Sequence, residues 1–117
     1  MHNQENFLAL IMPINISATP VFKKQFARLY SKYPSLADDI EKLKESLLIM
    51  PVQGISLGHD LYKVRLAIKS KGQGKSGGSR VITCIKLVEN KIIMDALYNK
   101  SEQDTMAVKD LLKLLNY

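Results

Sequence analysis

The chain predicts an α+β domain in the order β-α-α-β-β-β-α, with a helical hairpin and a C-terminal helix packed on a mainly antiparallel four-stranded sheet. Three observations carry this. Three aliphatic, β-branched runs lie between Leu61 and Tyr98, two apolar stripes of helical period precede them, and a third stripe comes after Ser101. With 117 residues, 46% of them hydrophobic, there is material for one core and one domain, residues 13–117.

Residues 1–12 read as an N-terminal extension dispensable to the domain, because Met12 would itself serve as a start ahead of the first strand, Ile14–Ser17. Thr19-Pro20 then opens a helix, threonine capping and proline in the first turn, where its missing N–H costs nothing. Phe22, Phe26, Leu29, Tyr30 and Tyr33 form one stripe along it, and Pro34 stops it. Ser35, with Asp38 three positions on, caps a second helix whose stripe is Leu36, Ile40, Leu43 and Leu47. Residues 52–60 are expected to be a connection.

In the next strand, Leu61–Ile68, alternation puts Tyr62, Val64, Leu66 and Ile68 on one face and Lys63 and Arg65 on the other. A lysine- and glycine-rich loop, 69–79, has no apolar side chain and is expected to stay unpacked. Arg80–Val88 and Lys91–Tyr98 come next, joined by a tight turn at Glu89-Asn90-Lys91, both dense enough in Ile, Val and Leu to be central strands. Ser101–Asp104 starts the last helix, with Val108, Leu111, Leu112 and Leu115 inward.

Charge is concentrated. From Leu61 to Lys91 there are eight cations and one acid, Glu89, a local excess of +7 against +6 for the whole chain. A hairpin so charged is a binding field for a polyanion, although lysines also commonly protect an exposed strand edge. The single cysteine, Cys84, lies in an apolar strand, so no intrachain disulfide forms and it reads as a small core residue of a cytoplasmic protein. No apolar run approaches the roughly 18 to 20 residues a membrane span needs, so no membrane association is expected.

Gly72-Gln73-Gly74-Lys75-Ser76-Gly77 spells the dinucleotide fingerprint, but the residues after it are strand-like where the fingerprint needs a helix. Gly74-Lys75-Ser76 fails as a P-loop for the same reason, and no nucleotide cofactor is expected. His2 and His59 are the only histidines, too few for a metal constellation, and only His59 lies within the domain, which leaves no plausible Ser-His-Asp set. An enzyme made from this chain works with lysine, arginine and tyrosine. That kit suits RNA transphosphorylation, in which the substrate's own 2′-hydroxyl attacks the neighbouring phosphodiester and the protein supplies an acid, a base and cations.

The element order, the strand Leu61-Tyr62-Lys63-Val64-Arg65-Leu66, the segment Gly74-Lys75-Ser76-Gly77-Gly78-Ser79-Arg80-Val81-Ile82, and Leu97-Tyr98-Asn99-Lys100-Ser101-Glu102 together resemble the RelE/ParE superfamily of toxin–antitoxin toxins, most nearly its HigB-like branch. The resemblance covers about Ile14 to Leu115. It implies a RelE-like fold and a ribosome-dependent, metal-independent endoribonuclease that cuts mRNA and is silenced by a cognate antitoxin. By position, Lys63, Arg65 and Arg80 would hold the scissile phosphate. Where RelE has an arginine and a tyrosine after the fourth strand, this chain has Ser101 next to Lys100 and no tyrosine between Ser101 and Leu115, and Tyr98 and Lys100 are the candidate substitutes. Lys69, Lys71, Lys75 and Lys86 would grip mRNA or ribosomal RNA. Within the same superfamily a non-catalytic ParE-like toxin acting on DNA gyrase, or an inactive phage-derived relic, is the alternative.

Overall fold

The computed structural model describes residues 14–72, 78–100 and 113 of the chain. They form strand β1 (Asn15–Ala18), helices α1 (Pro20–Tyr30) and α2 (Leu36–Ile49), then strands β2 (Ile55–Gly58), β3 (Leu61–Leu66), β4 (Ser79–Lys86) and β5 (Lys91–Asn99). The α+β class is as the sequence predicts. The sheet is not: it has five strands, ordered β1-β5-β4-β3-β2, and is mixed. The predicted extension and C-terminal helix lie outside the described residues, apart from Lys113, which is helical and exposed.

Both helices start as their sequences dictate, with one exception. Thr19 Oγ1 accepts the Phe22 N–H at 3.0 Å, and Pro20 takes the first turn. Helix α1 ends at Tyr30, short of Pro34, because the Lys32 and Tyr33 amides both turn back to the Leu29 carbonyl. Tyr33 therefore sits in a turn and Tyr30 is 44% exposed, while Phe22 and Leu29 are buried. In α2 the whole predicted stripe, Leu36, Ile40, Leu43 and Leu47, is buried. Each such side chain contributes about 1.5–3 kcal/mol. The exception is Ser35, whose hydroxyl makes no cap bond and instead donates to Asp39, not Asp38.

The helix-facing side of the sheet carries Val64, Leu66, Val81, Ile85, Ile92, Met94 and Leu97. The opposite side carries a second apolar cluster of Leu61, Ile82, Cys84, Ala96 and Tyr98. Strands β4 and β5 are covered on both faces, which explains why their sequences run apolar without strict alternation.

Two features correct the four-stranded antiparallel expectation. Strand β2 comes from the segment read as a connection, and its short antiparallel pairing with β3 is closed by His59 and Asp60, at φ 55° and 62°. A two-residue hairpin loop of type I′ needs both central residues left-handed. Strand β1 runs parallel to β5, from Asn15 opposite Lys91 to Ala18 opposite Met94. Beyond the end of β1 its place beside β5 is taken by α1: the Thr19 amide donates to the Met94 carbonyl, Thr19 Oγ1 to the Asp95 carbonyl, and the Leu97 amide to Gln25 Oε1 at 2.7 Å.

The turn between β4 and β5 starts earlier than predicted, with a 3₁₀ turn at Leu87–Glu89 and Asn90 left-handed at φ 53°. Among the described residues, no helix is long and apolar enough to cross a membrane.

Two buried hydroxyls, those of Ser79 and Thr83, make no hydrogen bond among the described residues. Thr83 is fully buried in β4. Thr83→Val keeps the shape and removes a desolvated hydroxyl, so it is expected to stabilise the fold by about 1 kcal/mol, read by chemical denaturation.

Candidate functional site

The predicted cations meet through strand register. Arg65 of β3 lies directly opposite Arg80 of β4, and Arg80 directly opposite Tyr98 of β5, a single row across three neighbouring strands. Opposed residues point to the same face, here the one away from the helices. Lys63 stands two residues along from Arg65, about 7 Å away on the same face. Tyr98 reaches the row only because of a bulge. At the Lys86 end Thr83 pairs with Met94, but Ile82 pairs with Ala96, leaving Asp95 over. Without the extra residue Tyr98 would face Ser79 and point to the helices.

The row is graded in exposure. Arg65 is exposed and Lys63 half-buried, whereas Arg80 is 6% and Tyr98 3% exposed. Arg80 also donates from Nη1 to the Ser79 carbonyl at 3.2 Å. Lys100, half-buried, continues from β5, its amide donating to the Gly78 carbonyl at 3.2 Å and holding the start of β4.

The outer lysines divide. Contrary to the unpacked loop expected, Lys69–Lys71 form a 3₁₀ turn fastened to the start of α2. Asp39 Oδ2 accepts the Ser35 hydroxyl at 2.8 Å and the Lys69 amide at 3.1 Å, while Ser35 Oγ accepts the Ser70 amide at 2.8 Å. Asp39 is buried, and its contacts are what position Lys69, whose side chain is exposed. Lys71 turns inward: its ammonium donates to Asn99 Oδ1 and stands 5.7 Å from the centre of the Tyr33 ring. Its charge serves an internal bridge between three segments.

Lys86 lies six residues from Arg80 along β4, about 20 Å away at the strand rise, at the other pole of the sheet. Its ammonium is 3.4 Å from Asp60 Oδ2, and that hydrogen bond holds its pKa above the ordinary lysine value. It belongs to a separate, exposed ion pair, not to the row. Lys75 lies outside the described residues. Gly72 ends the 3₁₀ turn and β4 begins at Ser79, so a strand comes after the fingerprint-like segment.

A cleft of about 540 Å³ between α2 and the end of β3 borders Arg65 and Lys69 and also takes in Lys42, Ser46 and Gln53. Gln53, Asp39 and Ser35 were not legible as site residues, since their relation to Lys69 and Arg65 is set by tertiary packing. Among the described residues, no three His, Cys, Asp or Glu side chains group as metal ligands. Such a row, two guanidinium groups flanked by a lysine and a phenol, can hold an anion and stabilise negative charge building on it. No protein-family model and no curated protein sequence matches the chain.

Proposed function

We propose that the chain is the toxin of a type II toxin–antitoxin pair with a RelE-like fold, a cytoplasmic endoribonuclease that cuts mRNA on the ribosome. The observation that carries the reading is the Arg65–Arg80 pair in register, with Lys63 on the same face. Like charges directly opposite one another destabilise a sheet, and an anion lying across both relieves the repulsion. The RelE/ParE resemblance in sequence points to the same three side chains.

In this reading the exposed Arg65 and half-buried Lys63 take up the phosphodiester and Arg80, behind Arg65, completes the charge. The RNA 2′-oxygen attacks phosphorus, its proton passing to a base of the site. The bond from phosphorus to the 5′-oxygen breaks, and a protonated group returns a proton to that oxygen. Tyr98 and Lys100 are the candidates for proton transfer, and no metal is required. A cognate antitoxin would restrain the toxin, and mRNA with ribosomal RNA would be its nucleic-acid partners.

One observation favours the ParE-like alternative, inhibition of a host enzyme such as DNA gyrase by protein contact. Arg80 and Tyr98 are buried, and a protein interface needs only the exposed part of the row. Induction of the chain in growing bacteria, with and without Lys63→Ala/Arg65→Ala/Arg80→Ala, decides between the readings when mRNA 5′ ends are mapped. New ends that the triple variant abolishes support the nuclease. Growth arrest with intact mRNA supports the protein-contact toxin, and no arrest overturns both.

A further inference from the structure

The cleft beside the arginine row has a composition of its own. Strand β2 pairs with β3 only as far as Lys63, because Gly54 tucks against the Lys63 carbonyl and Ile55 is the first paired residue. The last part of β3 therefore lies open on the α2 side, and Leu43 and Val64 form an apolar floor there. Lys42 and Lys69, both exposed, stand at its rim, and Arg65, whose row lies on the other face of the sheet, borders it from the edge of β3 that β2 leaves uncovered. Gln53 is held across the cleft, its Nε2 donating to Ser46 Oγ at 2.9 Å and to the Met50 carbonyl at 2.7 Å. Both amide protons are used, so what Gln53 presents is its oxygen, an acceptor. Asp39, the one acid among the described residues that line the cleft, is occupied by the Ser35 hydroxyl and the Lys69 amide.

An apolar floor, a fixed acceptor, two lysines at the rim and an arginine at the strand edge, in about 540 Å³, match the size and chemistry of one nucleotide. We propose that this cleft binds a nucleotide of the RNA strand next to the cleaved bond. The base lies over Leu43 and Val64 and its exocyclic amine donates to Gln53 Oε1. The phosphate meets Lys42, Arg65 and Lys69. Bases with an exocyclic amine are preferred over uracil. The inference rests on the RNA reading above and names a sequence-selective subsite for it; Arg65 is shared by row and cleft.

The test is NMR titration of the ¹⁵N-labelled full chain with 5′-AMP, 5′-UMP and inorganic phosphate. AMP is expected to shift the amides of Lys42, Ser46, Gln53 and Lys69 saturably, binding about tenfold tighter than UMP. Gln53→Leu is expected to erase that difference, and Lys42→Ala or Lys69→Ala to weaken both nucleotides several-fold, with amide dispersion confirming the fold of each variant. Phosphate binding as tightly as AMP, shifts confined to Arg80 and Lys100, or displacement of AMP by a glutamate-rich peptide at lower concentration overturns the site. Binding is read without cleavage, so the two readings fail separately. AMP held in the cleft of a chain that cuts no mRNA supports the subsite alone, and cleavage with an empty cleft overturns it alone.

Discussion

On the nuclease reading proposed above, Arg80→Ala is expected to lower mRNA cleavage by about 10²–10³-fold, the usual cost of deleting one donor that stabilises developing oxyanion charge. Arg80 sits between Arg65 and Tyr98 in register, so its guanidinium is the central charge of the row. Arg80→Lys is expected to recover only part of the rate, since a lysine gives a point charge without the planar fork. Single-turnover cleavage of a short message on programmed ribosomes, with melting curves run beside it, checks both. An unchanged rate in a folded Arg80→Ala protein removes Arg80 from the chemistry and leaves Lys63 and Arg65 to carry it.

Gly78→Ala is expected to destabilise the fold strongly, because the added methyl meets backbone at the start of β4. A Cβ at Gly78 would lie 2.1 Å from the Leu66 carbonyl oxygen and 3.2 Å from the Ala67 Cα, and backbone cannot swing away as a flexible side chain can. The start of β4 must move off β3, at a cost of about 3 kcal/mol, the upper part of the usual range for overpacking. The same movement separates Arg80 from Arg65 and loosens the Lys100 amide from the Gly78 carbonyl, so the row is disrupted together with the fold. Gly72→Ala is the control. It stands in open space at φ 75°, so its cost is backbone strain alone, about 1 kcal/mol. Denaturant midpoints for the two variants separate crowding from strain.

How much was legible in the sequence depends on which forces are local. Thr19-Pro20 and the Leu36–Leu47 stripe announce their helices because capping and a 3.6-residue period are properties of one segment. Strands β3, β4 and β5 were equally plain from their β-branched runs. Strand β2 was not, being four residues, three of them exposed, with a His-Asp turn in place of the usual Asn-Gly. Pairing direction is no property of a segment either, so the parallel β1 was invisible. Alternation correctly placed Lys63 and Arg65 on one face. The meeting of Arg80 with Tyr98 depends on one extra residue, Asp95, which no local pattern announces. Lys71 and Lys86 looked like free cations because their partners, Asn99 and Asp60, come from other parts of the chain.

The parallel contact of β1 with β5 also fixes the order in which the molecule comes into being. Its first strand waits more than seventy residues for its neighbour, a long loop to close before any reward. A nascent chain that stops at Asn90 holds both helices and β4 but lacks β5, the strand through which β1 joins the rest of the sheet. Tyr98, the last member of the row, is then still unmade. The row that joins β3, β4 and β5 is therefore completed only with the last strand.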